Sequence, residues 1–131
     1  MLLQKLNEVQ DYLRQNQIDG WLLFDFKGMN PFVKKTLQLE GDAILSRRWW
    51  VWIPANGQPS LTMHAIEVGS FPDVGMAKSG YSSRTDFMDK LRATLGNSKR
   101  VAMEFSPLGN NPYVAKVDAG TIDLIRSFNV E

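Results

Sequence analysis

The segment S-R-R-W-W-V-W-I-P-A-N-G-Q-P, residues 46–59, carries three tryptophans and two arginines directly before a turn. Its aromatic and β-branched residues predict a β-strand over residues 48–53. The pair Asn56-Gly57 predicts a tight turn, and residues 60–63 predict a second strand. The segment therefore predicts a β-hairpin. The placement of its tryptophans decides whether that hairpin belongs to a core or to a binding surface.

Alternate residues of a strand share one face of the sheet, so the predicted strand has two unlike faces. The face of Arg48, Trp50 and Trp52 places an arginine beside two tryptophans, which suits stacking on a ligand or anchoring an interface. Helices on both sides of the sheet would bury the same residues. We expect this face to be mostly buried, with Arg48 the residue that reaches an interface. The other face is apolar after its first residue and is expected to face the core: Arg47, Trp49, Val51 and Ile53.

Length and composition indicate a single globular domain with a core of its own. The chain has 131 residues, of which 44% are hydrophobic and 22% charged, and 15 basic residues balance 14 acidic ones to a net charge of +1. This balance gives no overall field that attracts nucleic acid or anionic lipid, so we expect neither partner. There is no cysteine, which excludes disulfides, thiol catalysis and cysteine-based zinc sites. Charged and amide residues interrupt the first 13 positions, unlike a signal peptide, and we expect a cytoplasmic protein.

Hydrophobic periodicity predicts helices that alternate with short strands. Apolar residues from Leu2 to Leu13 recur on one helical face, and W-L-L-F at 21–24 has the pattern of a buried strand. The clearest helix spans 83–95, with Ser83 as its N-cap. Shorter patterns predict a helix over 65–71, strands over 74–78 and 100–105, a final helix over 118–127, and the start of another strand at 128–131; residues 32–45 indicate loop or partial helix. The order predicts an α/β fold.

A search for catalytic residues finds no convincing set. His64, the single histidine, forms H-x-x-E with Glu67, a spacing that places two ligands on one helical face, but a metal site needs further ligands. We therefore expect His64 to be hydrogen-bonded at a strand end. There is no G-x-S-x-G nucleophile motif, and G-M-A-K-S-G at 75–80 lacks Lys-Ser after its second glycine, so a phosphate loop is not indicated.

Five segments in order resemble the N-terminal domain of Xaa-Pro peptidases of the creatinase/aminopeptidase P group, metallopeptidases with a pita-bread catalytic domain. The resemblance extends over residues 1–131, and each segment alone is short. The segments are D-F-K-G-M-N-P (25–31), the hairpin sequence (46–59), H-A-I-E (64–67), V-A-M-E-F-S-P (101–107) and N-P-Y-V-A-K-V-D-A-G (111–120).

The resemblance implies an α/β domain with a mixed sheet of about six strands flanked by helices, of the ribonuclease-H-like kind. It implies that residues 1–131 form one non-catalytic domain, a fragment of a longer Xaa-Pro metallopeptidase that lacks the C-terminal catalytic domain. The cofactors, two divalent metal ions that we expect to be manganese, would lie in that missing domain and none in this chain. The implied partners are the chain's own catalytic domain and further copies in a homodimer or larger homo-oligomer.

In such proteins the N-terminal domain supports oligomerisation and shapes the substrate entrance. The residues that match the motifs become candidates for the entrance or an interface, with no catalytic or metal-binding residue among them: Arg47, Arg48, Trp50, His64 and Glu67. One alternative is a stand-alone module that binds a peptide or small ligand through the Arg/Trp face, and it stays open at this point.

Overall fold

The computed structural model describes residues 2–39 and 46–131, with side chains described from residue 5 onward. Besides two short 3₁₀ turns, Pro107–Gly109 and Pro112–Val114, it contains five helices and five strands within these ranges. In chain order they are α1 Leu2–Gln15, β1 Gly20–Asp25, α2 Pro31–Leu37, β2 Trp49–Pro54, β3 Ser60–His64, α3 Ala65–Val68, β4 Ala77–Tyr81, α4 Arg84–Leu95, β5 Val101–Ala102 and α5 Ala119–Arg126.

The strands form one mixed sheet in the order β4-β3-β2-β1-β5. β2 runs antiparallel to β1 and β3, while β5 is parallel to β1 and β4 is parallel to β3. β1, β3, β4 and β5 therefore all point the same way, and the last residues of β1, β3 and β4 meet the start of β2 at one end of the sheet. We call this end the carboxyl edge; it is marked by Asp25, Trp49, His64 and Tyr81. The short strand β5 pairs only with Gly20 and Trp21 at the start of β1.

The predicted α/β class and the β2–β3 hairpin are confirmed. A sixth strand position is also occupied in part, because Glu131 pairs with the backbone beside β5. Its N–H donates to Lys99 at 2.7 Å, and its carbonyl accepts from Val101 at 2.8 Å. These two bonds are those of a parallel ladder, in line with the strand predicted at 128–131.

Helices cover both faces of the sheet, and the alternation along β2 assigns its side chains as predicted. Trp49, Val51 and Ile53 pack in one buried cluster with residues of α1 and α2, including Leu13 and Val33. Trp50 and Trp52 pack in the other cluster under α4 and α5. Both tryptophans on the second face are therefore buried beneath helices, Trp50 completely and Trp52 to 8% exposure.

Three predicted elements differ from the observed ones for local reasons. The strand predicted over 74–78 begins at Ala77, because the Asp73 carboxylate accepts the Gly75 N–H at 2.9 Å in a turn. The helix predicted over 65–71 ends at Val68. The strand predicted over 100–105 is limited to two residues, because the Glu104 carbonyl accepts N–H groups from the returning loop at 2.9 and 3.0 Å.

The helix predicted over 83–95 is α4, and Ser83 is its N-cap as predicted. The Ser83 hydroxyl accepts the Asp86 N–H at 3.0 Å, and the Asp86 carboxylate accepts the Ser82 N–H at 3.0 Å. The partial helix predicted within 32–45 is α2, while residues 40–45 lie outside the described part of the chain. Within residues 2–39 and 46–131, no helix combines the length and apolar composition needed to cross a membrane.

Candidate functional site at the carboxyl edge

The motif D-F-K-G-M-N-P builds the turn that leaves β1 at the carboxyl edge. Asp25 is 4% exposed, and its two carboxylate oxygens accept the Gly28 N–H at 2.9 Å and the Asn30 N–H at 2.8 Å. The Asp25 carboxylate also accepts the Trp49 indole N–H at 2.9 Å. The Asn30 side-chain oxygen accepts the Phe32 N–H at 3.2 Å and so caps α2. The motif therefore has a structural role, because hydrogen bonds to Asp25 hold this turn against Trp49 of β2.

Glu104, from the motif V-A-M-E-F-S-P, completes a buried polar network with this turn. One carboxylate oxygen accepts the Asn30 side-chain N–H at 2.7 Å, and the other accepts the Trp21 indole N–H at 2.7 Å. Burial raises the pKa of the Glu104 carboxyl above its ordinary value, and the hydrogen bonds from Asn30 and Trp21 offset part of this effect. Two motifs far apart in sequence thus meet through one buried carboxylate.

Trp50 is not an entrance residue, and its selection as a candidate is corrected by its burial. Its ring is fully buried and stacks between Phe24, with centroids 5.8 Å apart, and Tyr81, at 6.1 Å. Its indole N–H donates to the Thr94 hydroxyl at 3.1 Å. Because α4 covers this face of the sheet, no surface of Trp50 is left for a ligand.

Arg48, by contrast, reaches the surface at the carboxyl edge. Its backbone carbonyl accepts the Tyr81 hydroxyl, and its guanidinium lies over the Phe87 ring, 4.3 Å from the centroid. A second arginine, Arg84 at the start of α4, lies over the same ring at 5.2 Å. Burial raises the pKa of the Tyr81 hydroxyl, and the nearby Arg48 and Arg47 charges oppose that shift. The side chains of β2, β4 and α4 thus bring two guanidinium groups to one aromatic ring.

These arginines line an open cleft of about 310 Å³, which we call the arginine cleft. A second cleft of about 350 Å³ adjoins it, and Phe26 and Arg48 line both. The arginine cleft combines charged, polar and apolar side chains. Its principal lining residues are Phe26, Arg47, Arg48, His64, Arg84 and Phe87.

His64 and Glu67 do not converge, although their spacing allows it. The His64 Nδ1 accepts the Ile66 N–H at 3.2 Å and caps α3, which leaves Nε2 as the protonated nitrogen of the neutral ring. Glu67 is 9% exposed and turns to the Ser46 N–H, which it accepts at 3.0 Å. The expectation of a hydrogen-bonded His64 at a strand end is confirmed.

The second Glu67 oxygen is buried and has only the Arg47 guanidinium nearby, at 3.9 Å, among the described residues. Arg47 itself is 45% exposed, so this ion pair is weak. Within residues 2–39 and 46–131, no three histidine, aspartate or glutamate side chains are grouped as metal ligands.

Exposed apolar side chains follow the carboxyl ends of β1 and β3. Phe26 and Met29, which follow β1, are 42% and 63% exposed, and Ile66, which follows β3, is 71% exposed. The loop after β5 leaves and returns at Glu104, whose carbonyl accepts the Lys116 and Val117 N–H groups. Two more exposed apolar side chains lie in this loop, Leu108 at 97% and Tyr113 at 82%.

Comparison with known proteins gives matches among solved structures only, since no family model and no curated protein matches the sequence. The creatinase/prolidase N-terminal domain of an X-Pro dipeptidase from Streptococcus pyogenes matches with a TM-score of 0.67 and 17% identity, over 95% of this chain and 92% of that one. A proline dipeptidase from Streptococcus pneumoniae matches with a TM-score of 0.71 and 20% identity, over 97% and 87%. The prolidase from Pyrococcus horikoshii matches at 0.64 and 17%, over 97% of this chain but 30% of that one.

The fold is therefore that of the creatinase/prolidase N-terminal domain, as the resemblance in sequence implied. The α/β layers, the mixed sheet and nearly the whole length of the chain agree with these solved domains. The chain spans 30% of the length of the Pyrococcus horikoshii prolidase.

Two parts of this site were missed by sequence reasoning. The Asp25–Asn30–Glu104 network lay inside the quoted motifs, but a polar residue within a short motif does not reveal its distant partner. Arg84 was missed because it opens a helix rather than belonging to a motif. The signal for Arg84 was its place directly after β4, since the carboxyl ends of parallel strands share one edge.

Proposed function

We propose that the chain is the non-catalytic N-terminal domain of an Xaa-Pro peptidase-like protein. In this proposal it contacts a C-terminal catalytic domain, supports homo-oligomer formation and shapes the substrate entrance through the carboxyl edge. The observation that carries the proposal is the fold itself, which is shared over 95% of the chain with the N-terminal domain of an X-Pro dipeptidase.

The distribution of exposed apolar surface supports the carboxyl edge as the docking side. Phe26, Met29 and Ile66 directly follow the carboxyl ends of β1 and β3, and Leu108 and Tyr113 lie in the loop after Glu104, which bonds to Asn30 in the turn after β1. Exposed apolar side chains that gather on one side of a domain mark an interaction surface. Phe26 and Met29 also line the clefts at this edge, which fits a domain that covers an opening in its partner.

The proposal assigns the metal chemistry to the partner domain. Residues 1–131 with Mn²⁺ are therefore expected to release no proline from an Xaa-Pro dipeptide. The protein encoded by the complete gene is expected to do so in a Mn²⁺-dependent way. Turnover by residues 1–131 alone, or a complete gene without a catalytic domain, would contradict the proposal.

Surface variants of the complete protein test the docking side. Met29→Ser and Ile66→Ser remove apolar area at the carboxyl edge and are expected to weaken self-association or to raise KM for the peptide. Tyr12→Ser is the matched control, because Tyr12 is 63% exposed on α1, away from this edge. The distribution of oligomers in analytical ultracentrifugation and steady-state kinetics are the measurements. Equal effects of all three changes would contradict docking through the carboxyl edge.

The alternative of a stand-alone module that binds through an Arg/Trp face is not favoured in that form. Trp50 and Trp52 are buried, at 0% and 8% exposure, so they offer no stacking surface. What is left of that face is Arg48, in the arginine cleft.

A further inference from the structure

The positive charge of the arginine cleft is poorly neutralised by the described residues. Neither Arg48 nor Arg84 has a carboxylate within ion-pair distance among them, and Arg47 has only the 3.9 Å contact with Glu67. One Glu67 oxygen accepts the Ser46 N–H, and the Asp86 carboxylate accepts the Ser82 N–H. The other Glu67 oxygen has only Arg47 nearby. Within residues 2–39 and 46–131, the guanidinium groups of Arg48 and Arg84 therefore lie against an aromatic ring and have no acidic partner.

Arg84 stands where its charge opposes helix stability. It is the first residue of α4, next to the positive end of the helix dipole, where a cation is unfavourable. The cap of α4 is complete without it, because Ser83 and Asp86 satisfy the local N–H groups. Arg84 therefore adds to the positive potential of the cleft, and the cap of α4 does not need its charge.

The other residues that line the arginine cleft indicate which class of ligand it can bind. His64 lines the cleft, and its Nε2 carries the donor N–H of the neutral ring, since its Nδ1 accepts the Ile66 N–H. Phe26, 42% exposed, gives the cleft an apolar wall. A planar guanidinium group forms a bidentate pair with a carboxylate, through two parallel hydrogen bonds. An apolar wall beside them suits a carboxylate carried next to an apolar side chain, as in a peptide, better than a bare inorganic anion.

We infer that the arginine cleft binds a peptide carboxylate, with Arg48 and Arg84 holding the charge, His64 donating a hydrogen bond and Phe26 contacting the neighbouring side chain. The inference deepens the entrance role proposed above and rests on that proposal only for the choice of a peptide. Arg47, at the open side, adds long-range attraction.

Nuclear magnetic resonance titration of the 131-residue chain tests the inference directly. The probes are N-acetyl-Ala-Phe with a free C-terminal carboxylate, N-acetyl-Phe-Asp-Ala amide with a side-chain carboxylate, the amide N-acetyl-Ala-Phe-NH₂, and inorganic phosphate. The expected result is a saturable shift of the Arg48 and Arg84 Nε–Hε signals and of the His64 ring signals with a carboxylate peptide, with a Kd on the order of 1 mM at low salt. Raising the salt concentration to 0.5 M should weaken the binding of the carboxylate peptide.

The two carboxylate probes distinguish a substrate-like chain end from an acidic segment of a partner. Equal shifts from the amide peptide, or a response to phosphate and to neither carboxylate peptide, would overturn the inference. So would a response confined to residues outside the cleft.

Arg84→Gln is the decisive variant because Arg84 is exposed and its loss leaves the cap of α4 intact. It is expected to weaken carboxylate binding roughly tenfold while the melting temperature stays the same or rises. Arg92→Gln is the matched control, an exposed arginine later in α4 that pairs with Asp89, and it should leave binding unchanged. Equal binding by the Arg84→Gln and wild-type chains would also overturn the inference.

Arg48→Lys adds a second variant in which the charge is kept and the planar fork is lost. It should weaken binding of the carboxylate peptide, whereas unchanged binding would contradict a paired geometry at Arg48. These measurements need no catalytic domain. A negative result in these binding experiments would not contradict docking through the carboxyl edge. That proposal is tested separately by Met29→Ser and Ile66→Ser, which change none of the arginines.

Discussion

The side-chain amide of Asn30 donates a 2.7 Å hydrogen bond to the carboxylate of Glu104, and the two residues are 74 positions apart in sequence. Both side chains are buried, at 2% and 8% exposure. The same Asn30 caps α2, and the same Glu104 accepts the Trp21 indole N–H. This one contact therefore ties the turn after β1 to the loop after β5 beneath the exposed apolar surface of the carboxyl edge.

Replacing Asn30 by alanine should be strongly destabilising. The change removes the cap of α2 and leaves the Phe24 carbonyl and one Glu104 oxygen without the hydrogen bonds that they accept from Asn30. We expect a loss of about 3 kcal/mol in the free energy of unfolding, measured by urea denaturation. Asn111→Ala is the control, because Asn111 caps an exposed 3₁₀ turn through the Tyr113 N–H and should cost only about 0.5 kcal/mol. Similar losses for both would contradict a special role for the buried network.

Glu104→Gln should change how stability depends on pH. The pKa of Glu104 is raised by burial above its ordinary 4.5, so the folded chain holds this proton more tightly than the unfolded chain does. The stability from this group is full below pH 4.5 and falls as the pH rises through the raised folded pKa. The advantage of the wild type over Glu104→Gln should therefore be largest near pH 4 and shrink towards pH 7.

Urea unfolding of both proteins across this range is the measurement. Asp19 and Asp118 have lowered pKa values, from backbone N–H groups of Lys99 and Arg100 at Asp19 and from the Thr121 hydroxyl at Asp118. Their contributions are lost as the pH falls below their ordinary 3.8 and cancel between the two proteins. A difference that stays constant with pH would show that Glu104 is not desolvated as the structure indicates.

Gly20→Ala should be destabilising because Trp52 fills the space over Gly20. A methyl group there would lie 2.1 Å from the nearest atom of the Trp52 ring, and the buried ring cannot move aside freely. We expect a loss of about 3 kcal/mol in a urea or thermal unfolding experiment. Gly69→Ala is the control, since it has helical φ and ψ angles and no atom within 4 Å of a new methyl group. It should be neutral or stabilise by roughly 0.5 kcal/mol, and equal losses at both positions would contradict the packing of Trp52.

Local patterns in the sequence predict the elements whose causes are local. The hairpin with Asn56-Gly57, the opposite faces of Trp49 and Trp50, and the Ser83 cap of α4 all follow from period, turn chemistry and capping, and all are observed. The complete burial of Trp50 could be predicted only by knowing the tertiary structure, in which α4 crosses this face of the sheet. The resemblance in motifs supplied the remaining fold.

Contacts between distant segments could not be predicted in the same way. Glu104 sits in a pattern typical of a strand, yet the chain turns away after Ala102 because the Glu104 carbonyl bonds to the loop that returns at Lys116. The arginine cleft joins the start of β2 to the first turn of α4, and nothing in either segment indicates the other. The orientation of the His64 ring is set by the hydrogen bond that it accepts from Ile66 as an N-cap. The orientation of the Glu67 side chain is set by the N–H of Ser46, which is distant in sequence.

Hydrogen–deuterium exchange of the protein encoded by the complete gene, compared with residues 1–131 alone, tests docking through the carboxyl edge most directly. We expect backbone amides in 26–29 and 105–113 to exchange at least about tenfold more slowly in the complete protein, because a partner surface covers them. Amides of the turn at 56–58, at the opposite end of the sheet, should exchange equally in both. Equal exchange at the carboxyl edge, or slowing confined to 56–58, would contradict docking through this edge.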